Sequence, residues 1–117
     1  MSIEEHLLKI KQGVNAWNQW REQNPETTPD LSKVDIRGLQ LQKINLSNAD
    51  LTEAKLQYSN LSGATLEKAD MNKAKLLETN FQSANLKGAN LSGAGLLESN
   101  LQSVSYTHLT LPTICSV

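Results

Sequence analysis

The sequence predicts a solenoid, a stack of short repeated units, and three observations predict it. A large apolar residue occupies every fifth position through fifteen consecutive pentapeptides from Pro29 to Ser103: Leu31, Ile36, Leu41, Leu46, Leu51, Leu56, Leu61, Leu66, Met71, Leu76, Phe81, Leu86, Leu91, Leu96 and Leu101. Two residues before each of these, from Ala49 to Ser99, only Ala, Ser or Thr occurs, as a narrow interior requires. The period of five fits neither the 3.6 of a helix nor the 2.0 of a strand. A unit this short cannot bury its own large side chain and must stack on copies of itself.

Ahead of the repeat, residues 2–23 read as one helix. Ser2 and Glu5 have capping-box spacing, which satisfies two of the free amides at a helix start. Ile3, Leu7, Ile10, Val14 and Trp17 recur at spacings of four and three on one face, widened by Leu8 and Trp20. Gly13 costs about 1 kcal/mol against Ala in a helix interior, so a packing demand is expected there. Asn24-Pro25 ends the helix, because proline disfavours helical geometry in the residue before it. Such a helix needs a surface for its apolar face, and the open end of a stack offers one. Trp17 and Trp20, large and flat, are the expected lids.

Glu26–Pro29 forms a short, stiff connector. In the first units the inward position is bulkier, with Val34, Leu39 and Ile44, so the interior is expected to be filled differently near the helix. Glycines 38, 63, 88 and 93 fall at unit junctions, where a tight turn explains them.

Units such as Ala49-Asp50-Leu51-Thr52-Glu53, Ala84-Asn85-Leu86-Lys87-Gly88 and Ala89-Asn90-Leu91-Ser92-Gly93 resemble the A-(D/N)-L-x-x signature of pentapeptide-repeat proteins. The stretch from Leu8 to Trp20, with Asn24-Pro25 and Pro29-Asp30-Leu31, is similar to a leader found before such repeats in cyanobacterial proteins. The resemblance implies an all-β solenoid, a right-handed quadrilateral β-helix with four pentapeptides per coil. Columns twenty residues apart agree with four sides: Ser59, Thr79 and Ser99 are the only hydroxyls at the small inward position after Ala49. Asn60, Asn80 and Asn100 match in the same way, as do Lys55 and Lys75, and Asp30, Asp50 and Asp70.

Residues 104–113 abandon the repeat vocabulary and resemble one translated frame of a transposase sequencing adapter. The expected organisation is a capping helix at 1–24, a linker at 25–30, the repeat β-helix at 29–103 and a non-native tail at 104–117. Val104, Tyr106, Leu109, Leu111 and Ile114 continue the apolar phase, so the tail could wind on as extra coil, although Val104 and Leu109 break the small-residue rule. On this reading the natural chain is longer, and an uncapped C-terminal end invites self-association.

Composition narrows the function classes. The chain has 117 residues and a formal net charge of −1. Eight acidic and eight basic residues fall within 29–103, leaving no electrostatic case for direct binding of nucleic acid or anionic membrane. Neither a signal peptide nor a long apolar run occurs, so a cytoplasmic location is expected. The single cysteine, Cys115, allows no disulfide framework or thiolate metal site. Histidine occurs only as His6 and His108, and the repeat body holds no histidine–carboxylate pair or metal-ligand cluster. No catalytic, cofactor or metal site is expected. The Asp30–Asp50–Asp70 column, continued by Asn90, is read as corner residues bonding local backbone rather than as a cation site.

One surface feature stands out. Of the thirty outward slots after the central residues, only Tyr58, Leu77 and Leu97 carry large apolar side chains, and all three fall on the side of Ile36, Leu56, Leu76 and Leu96. They are the candidate contact for an unidentified protein partner. The predicted function is a non-enzymatic scaffold presenting flat faces for protein–protein interaction. Two alternatives are a DNA-mimicking binder of a type II topoisomerase such as gyrase, a role found within the resembled family, and a repeat segment of a larger multidomain signalling protein. The DNA mimic requires a long acidic rod, which this neutral body is not. The tail reading is checked on the encoding DNA: adapter codons are expected through 104–113, and an unrelated codon series overturns it.

Overall fold

The computed structural model describes residues 2–112; Ile114 and Cys115 lie outside the described residues. Two short helices, α1 (Ile3–Lys11) and α2 (Val14–Gln23), precede a rod of stacked coils. The single helix expected over 2–23 is thus broken. Gly13 is the N-cap of α2 at φ 110°, and a Cβ placed there would meet nothing within 4 Å. Backbone conformation, not packing, therefore demands the glycine. The capping box at Ser2 and Glu5 forms as expected, and α2 ends at Gln23 before Pro25.

From Asp30 onward the chain makes single-residue parallel bridges, each to the residue twenty positions on: Asp30 with Asp50, Asp35 with Lys55, Gln40 with Asn60, Asn45 with Thr65, and so on to Asn90 with Thr110. Four pentapeptides therefore make one coil and give the rod four sides. The ladder is regular. Leu51 N–H donates to Asp70 O at 2.7 Å and Glu53 N–H to Asn72 O at 2.9 Å, while Asp50 N–H reaches back to Pro29 O at 2.9 Å. Each side contributes one bridge rather than a long strand, because the next two residues form a turn, as where Ala54 N–H donates to Leu51 O at 3.0 Å.

The second residue after each central position has positive φ, at glycines 38, 63, 88 and 93 and equally at residues such as Lys33, Glu53, Tyr58 and Glu98. The corner assignment of those glycines holds. The central residues from Leu31 to Leu91 are at most 2 % exposed, and the alanines between them are equally buried. The core is a column of leucines flanked by a column of alanines. Val34 and Ile44 are buried and Leu39 is half-buried, within one continuous core that also takes in Ile10 and Trp17.

The hydroxyl column has a specific role. Ser59 Oγ donates to Ile36 O at 2.6 Å and Thr79 Oγ1 to Leu56 O at 2.8 Å, and Ser99 Oγ bonds Leu76 O. These bonds tie successive coils on one side only. Residues 104–110 wind on in register, with Ser105 bridged to Asn85 and Thr110 to Asn90. Burial weakens along that last coil: Leu96 is 6 % exposed and Leu101 37 %, and Tyr106 and Leu111 are exposed around a hollow of about 260 Å³. No helix among the described residues is long and apolar enough to cross a membrane.

Leu61 sits fully buried in the middle of the stack. Leu61→Lys is expected to abolish cooperative thermal unfolding, because an unpaired ammonium would replace a side chain contributing about 1.5–3 kcal/mol of burial. Circular dichroism melting checks this, and an unchanged cooperative transition refutes the inward assignment.

Candidate functional site

Ten residues preceding a central position accept a hydrogen bond from the N–H two residues on, and in this way brace the turn: Asp30, Asp35, Asn45, Asp50, Asn60, Asp70, Asn80, Asn85, Asn90 and Asn100. The aspartate column is therefore occupied with its own corners, as the sequence implied. Lys33 lies 4.0 Å from Glu53, so it is not held by the aspartates.

The side built on Ile36, Leu56, Leu76 and Leu96 departs from this scheme. After Asp35 its bracing position holds Lys55, Lys75 and Gly95, and the turn bond is absent from all three. On the same side Tyr58 is 57 % and Leu97 60 % exposed, whereas Leu77 is half-buried. The structure brings the three predicted contact residues onto one side. Leu77 and Leu97 share a column, with Gln57 preceding them in it, and Tyr58 stands one residue to the side at φ 66°. An aromatic side chain in left-handed backbone is uncommon.

Two hollows flank the strip. One of about 210 Å³ is lined by Gln57, Lys75, Leu77, Gly95 and Leu97. The other, about 480 Å³, is a notch between the end of α1 and the first coil, lined by Lys11, Arg37, Leu39 and Tyr58. Arg37 grips Asp35 through two contacts of 2.8 Å, which hold the Asp35 carboxyl pKa down to about 2. The buried Gln57 Oε1 has no hydrogen-bond partner among the described residues. Among those residues no group of three or more His, Cys, Asp or Glu is placed to hold a metal ion.

At the other end of the rod, α1 and α2 meet the first coil through specific contacts. Trp17 is fully buried, and its Nε1–H donates to Asn45 O at 2.7 Å. Trp20 is half-buried with its ring centroid 5.1 Å from that of Trp17. Leu8, expected to widen the apolar face, is instead 65 % exposed. The break at Gly13 turns α1 so that His6 packs inward in its place.

His6 is 1 % exposed, against both tryptophan rings, and its Nδ1 accepts the Asp30 N–H at 3.1 Å. Arg21 donates to Asn45 O at 3.0 Å and Ser47 O at 2.8 Å, and Asn18 bonds Lys43 O and Asn45 N–H. Sequence reasoning missed His6 and Arg21. Their signal was spacing, since His6 lies four before Ile10 and Arg21 four after Trp17.

The sequence profile described as "Pentapeptide repeats (8 copies)" matches residues 30–67 and 59–96. The chain belongs to the pentapeptide-repeat family, whose fold is a right-handed quadrilateral β-helix. Among solved structures it is similar to HetL from the cyanobacterium Nostoc sp. strain PCC 7120, a pentapeptide repeat protein involved in heterocyst differentiation regulation, with 34% identity and a TM-score of 0.70. That match covers 73% of this chain and 41% of HetL, so the chain spans well under half of that relative's length. It is also similar to alr5209, a pentapeptide repeat protein from Nostoc PCC 7120, at 27% identity and TM-score 0.68 over 82% of this chain and 84% of that one. No curated protein matches the chain.

Burial pushes the His6 pKa below its ordinary 6.5, against the opposing charges of Asp30 and Glu5. The folded state then holds fewer protons than the unfolded state. The contribution of His6 is complete above pH 6.5 and is lost as pH falls from there through the folded pKa. Trp17 and Trp20 are the only tryptophans and both touch this histidine, so their emission reports the junction. Acidification from pH 7.5 is expected to red-shift that emission with a midpoint below 6.5. His6→Asn is expected to flatten the response, and an identical titration in both proteins removes the assignment.

Proposed function

We propose that this chain is a non-enzymatic β-helical scaffold that holds a protein partner on the Tyr58–Leu77–Leu97 side, with α1 and α2 serving as the cap of its N-terminal end. The observation that carries the reading is the concentration of exposed large apolar side chains on one of four otherwise polar sides. The cap role is supported by the buried Trp17 and by the side chains of Trp17, Asn18 and Arg21 on carbonyls of the first coil. Similarity to HetL, involved in the regulation of heterocyst differentiation, supports a regulatory rather than a metabolic setting.

A DNA-mimicking role draws less support. Asp30, Asp50 and Asp70 make a column of three acids that continues as Asn90, with Lys33 and Lys73 on the same side. The lysines leave no strongly negative face for a topoisomerase's DNA-binding surface.

A benzophenone amino acid placed at Tyr58 and, separately, at Gln82 on the adjacent side tests the scaffold. After irradiation in cyanobacterial extract, the Tyr58 position is expected to give a discrete protein adduct and the Gln82 position none. Leu77→Ser/Leu97→Ser is expected to remove the adduct while changing stability by no more than about 1 kcal/mol. Equal labelling at both positions, or no adduct at either, overturns the proposal.

A further inference from the structure

The second side also carries an ordered pattern of charge across its apolar strip. Lys55 and Lys75 face each other directly as a parallel bridged pair on one flank. Glu78 and Glu98, both exposed, occupy the turn position on the other flank, in the column that holds Tyr58. Leu77 and Leu97 run between the two. Neither lysine has an acidic partner within 4.0 Å among the described residues, where the ion pairs are Lys33 with Glu53 and Arg37 with Asp35.

Placing like charges opposite one another is unfavourable, and both lysines displace the Asp or Asn that would brace the turn. Gly95 supplies no side chain at all and leaves open the shelf beside Leu97. Local stability is surrendered at three consecutive levels of one side. Departures of this kind from local consistency concentrate where a surface is used.

We infer that the occupant of this side is an amphipathic α-helix of the partner protein, lying along the rod axis, with an apolar stripe flanked by acidic residues on one edge and basic residues on the other. The inference rests on the scaffold reading above and names the partner's chemistry. Three levels of the rod, carrying Tyr58, Leu77 and Leu97, succeed one another at about 4.8 Å, the spacing of paired strands. Apolar residues on a helix at i, i+3 or i+4 and i+7 succeed one another at about 5 Å along its axis. Three stacked outposts therefore register with three successive helical turns. The lysine and glutamate columns lie three residues apart and bracket the Leu77–Leu97 column, so a helix seated on that column has one of them along each edge. The partner's acids then meet Lys55 and Lys75, and its bases meet Glu78 and Glu98.

The probe is a cross-linked helical peptide of about 18 residues with a leucine stripe, made in three forms: one glutamate flank with one lysine flank, two glutamate flanks, and two lysine flanks. Binding to the whole protein is read by fluorescence anisotropy. The mixed peptide is expected to bind about tenfold more tightly than either uniform one, and Leu77→Ser/Leu97→Ser to weaken it by about the same factor. Lys55→Glu/Lys75→Glu makes both flanks acidic and is expected to move the preference to the two-lysine peptide. Such a switch does not arise from a merely structural role of the lysines. Equal binding of all three peptides, or no binding, overturns the helix while leaving the Tyr58 cross-linking result intact. Sedimentation as a dimer that Leu77→Ser/Leu97→Ser dissolves assigns the side to a second copy instead, and binding to anionic vesicles assigns it to a membrane. Either result overturns the inference.

Discussion

The hydrogen bond from each central residue's N–H to the carbonyl of the residue before the next central position in its column fixes the coil at twenty residues, and the rest of the structure inherits that length. Leu51 to Asp70, Leu61 to Asn80 and Met71 to Asn90 all meet at 2.7 Å. Because the bonds run along the rod axis, each coil must superimpose on the next. A leucine then falls over a leucine and an alanine over an alanine. The four sides are flat for the same reason, and any residue type repeated at that interval becomes a column on the surface.

The ladder imposes a conformational demand that recurs at every unit. A pentapeptide has to turn a corner, and the second residue after the central one adopts left-handed backbone whether or not it is glycine. For L-residues this conformation costs about 1–2 kcal/mol. The fold sustains it because the units from Leu31 to Leu91 each also bury a large apolar side chain almost completely, and the cost is offset by packing rather than avoided by composition. Lysine, glutamate, asparagine and serine hold most of these positions, and Tyr58 is the one aromatic apart from His108. That choice combines strain with exposure on a side whose remaining outward slots are already atypical.

Much of this was legible in the amino-acid order because the fold is periodic. The leucine column, the small inward slot, the hydroxyl column and the glycine corners are all positional facts, and the twenty-residue coil follows from them. The side holding Tyr58, Leu77 and Leu97 could be assigned on the same basis. The leader was less legible because helical periodicity is blind to backbone torsion. The apolar spacing runs unbroken through Gly13, yet the chain turns there at φ 110°, which leaves Leu8 outside and brings His6 in. The unbraced turns after Lys55 and Lys75 were equally hidden. As a matched pair the two lysines signal only register, and their oddity emerges when the neighbouring aspartates and asparagines are seen bracing turns that the lysines leave unbraced.

A stack of near-identical units faces the hazard of shifting by one pentapeptide, since a leucine would still cover a leucine after a slip of five residues. Ser59, Thr79 and Ser99 distinguish the true alignment from its neighbours, because each inward hydroxyl, fully buried at Ser59 and Thr79, meets a carbonyl of the preceding coil at one corner alone. In a slipped chain these hydroxyls lose that alignment. A buried hydroxyl left without a partner costs about 1–3 kcal/mol. Three small polar side chains thus act as a key for winding, giving an otherwise repetitive sequence a single length of turn.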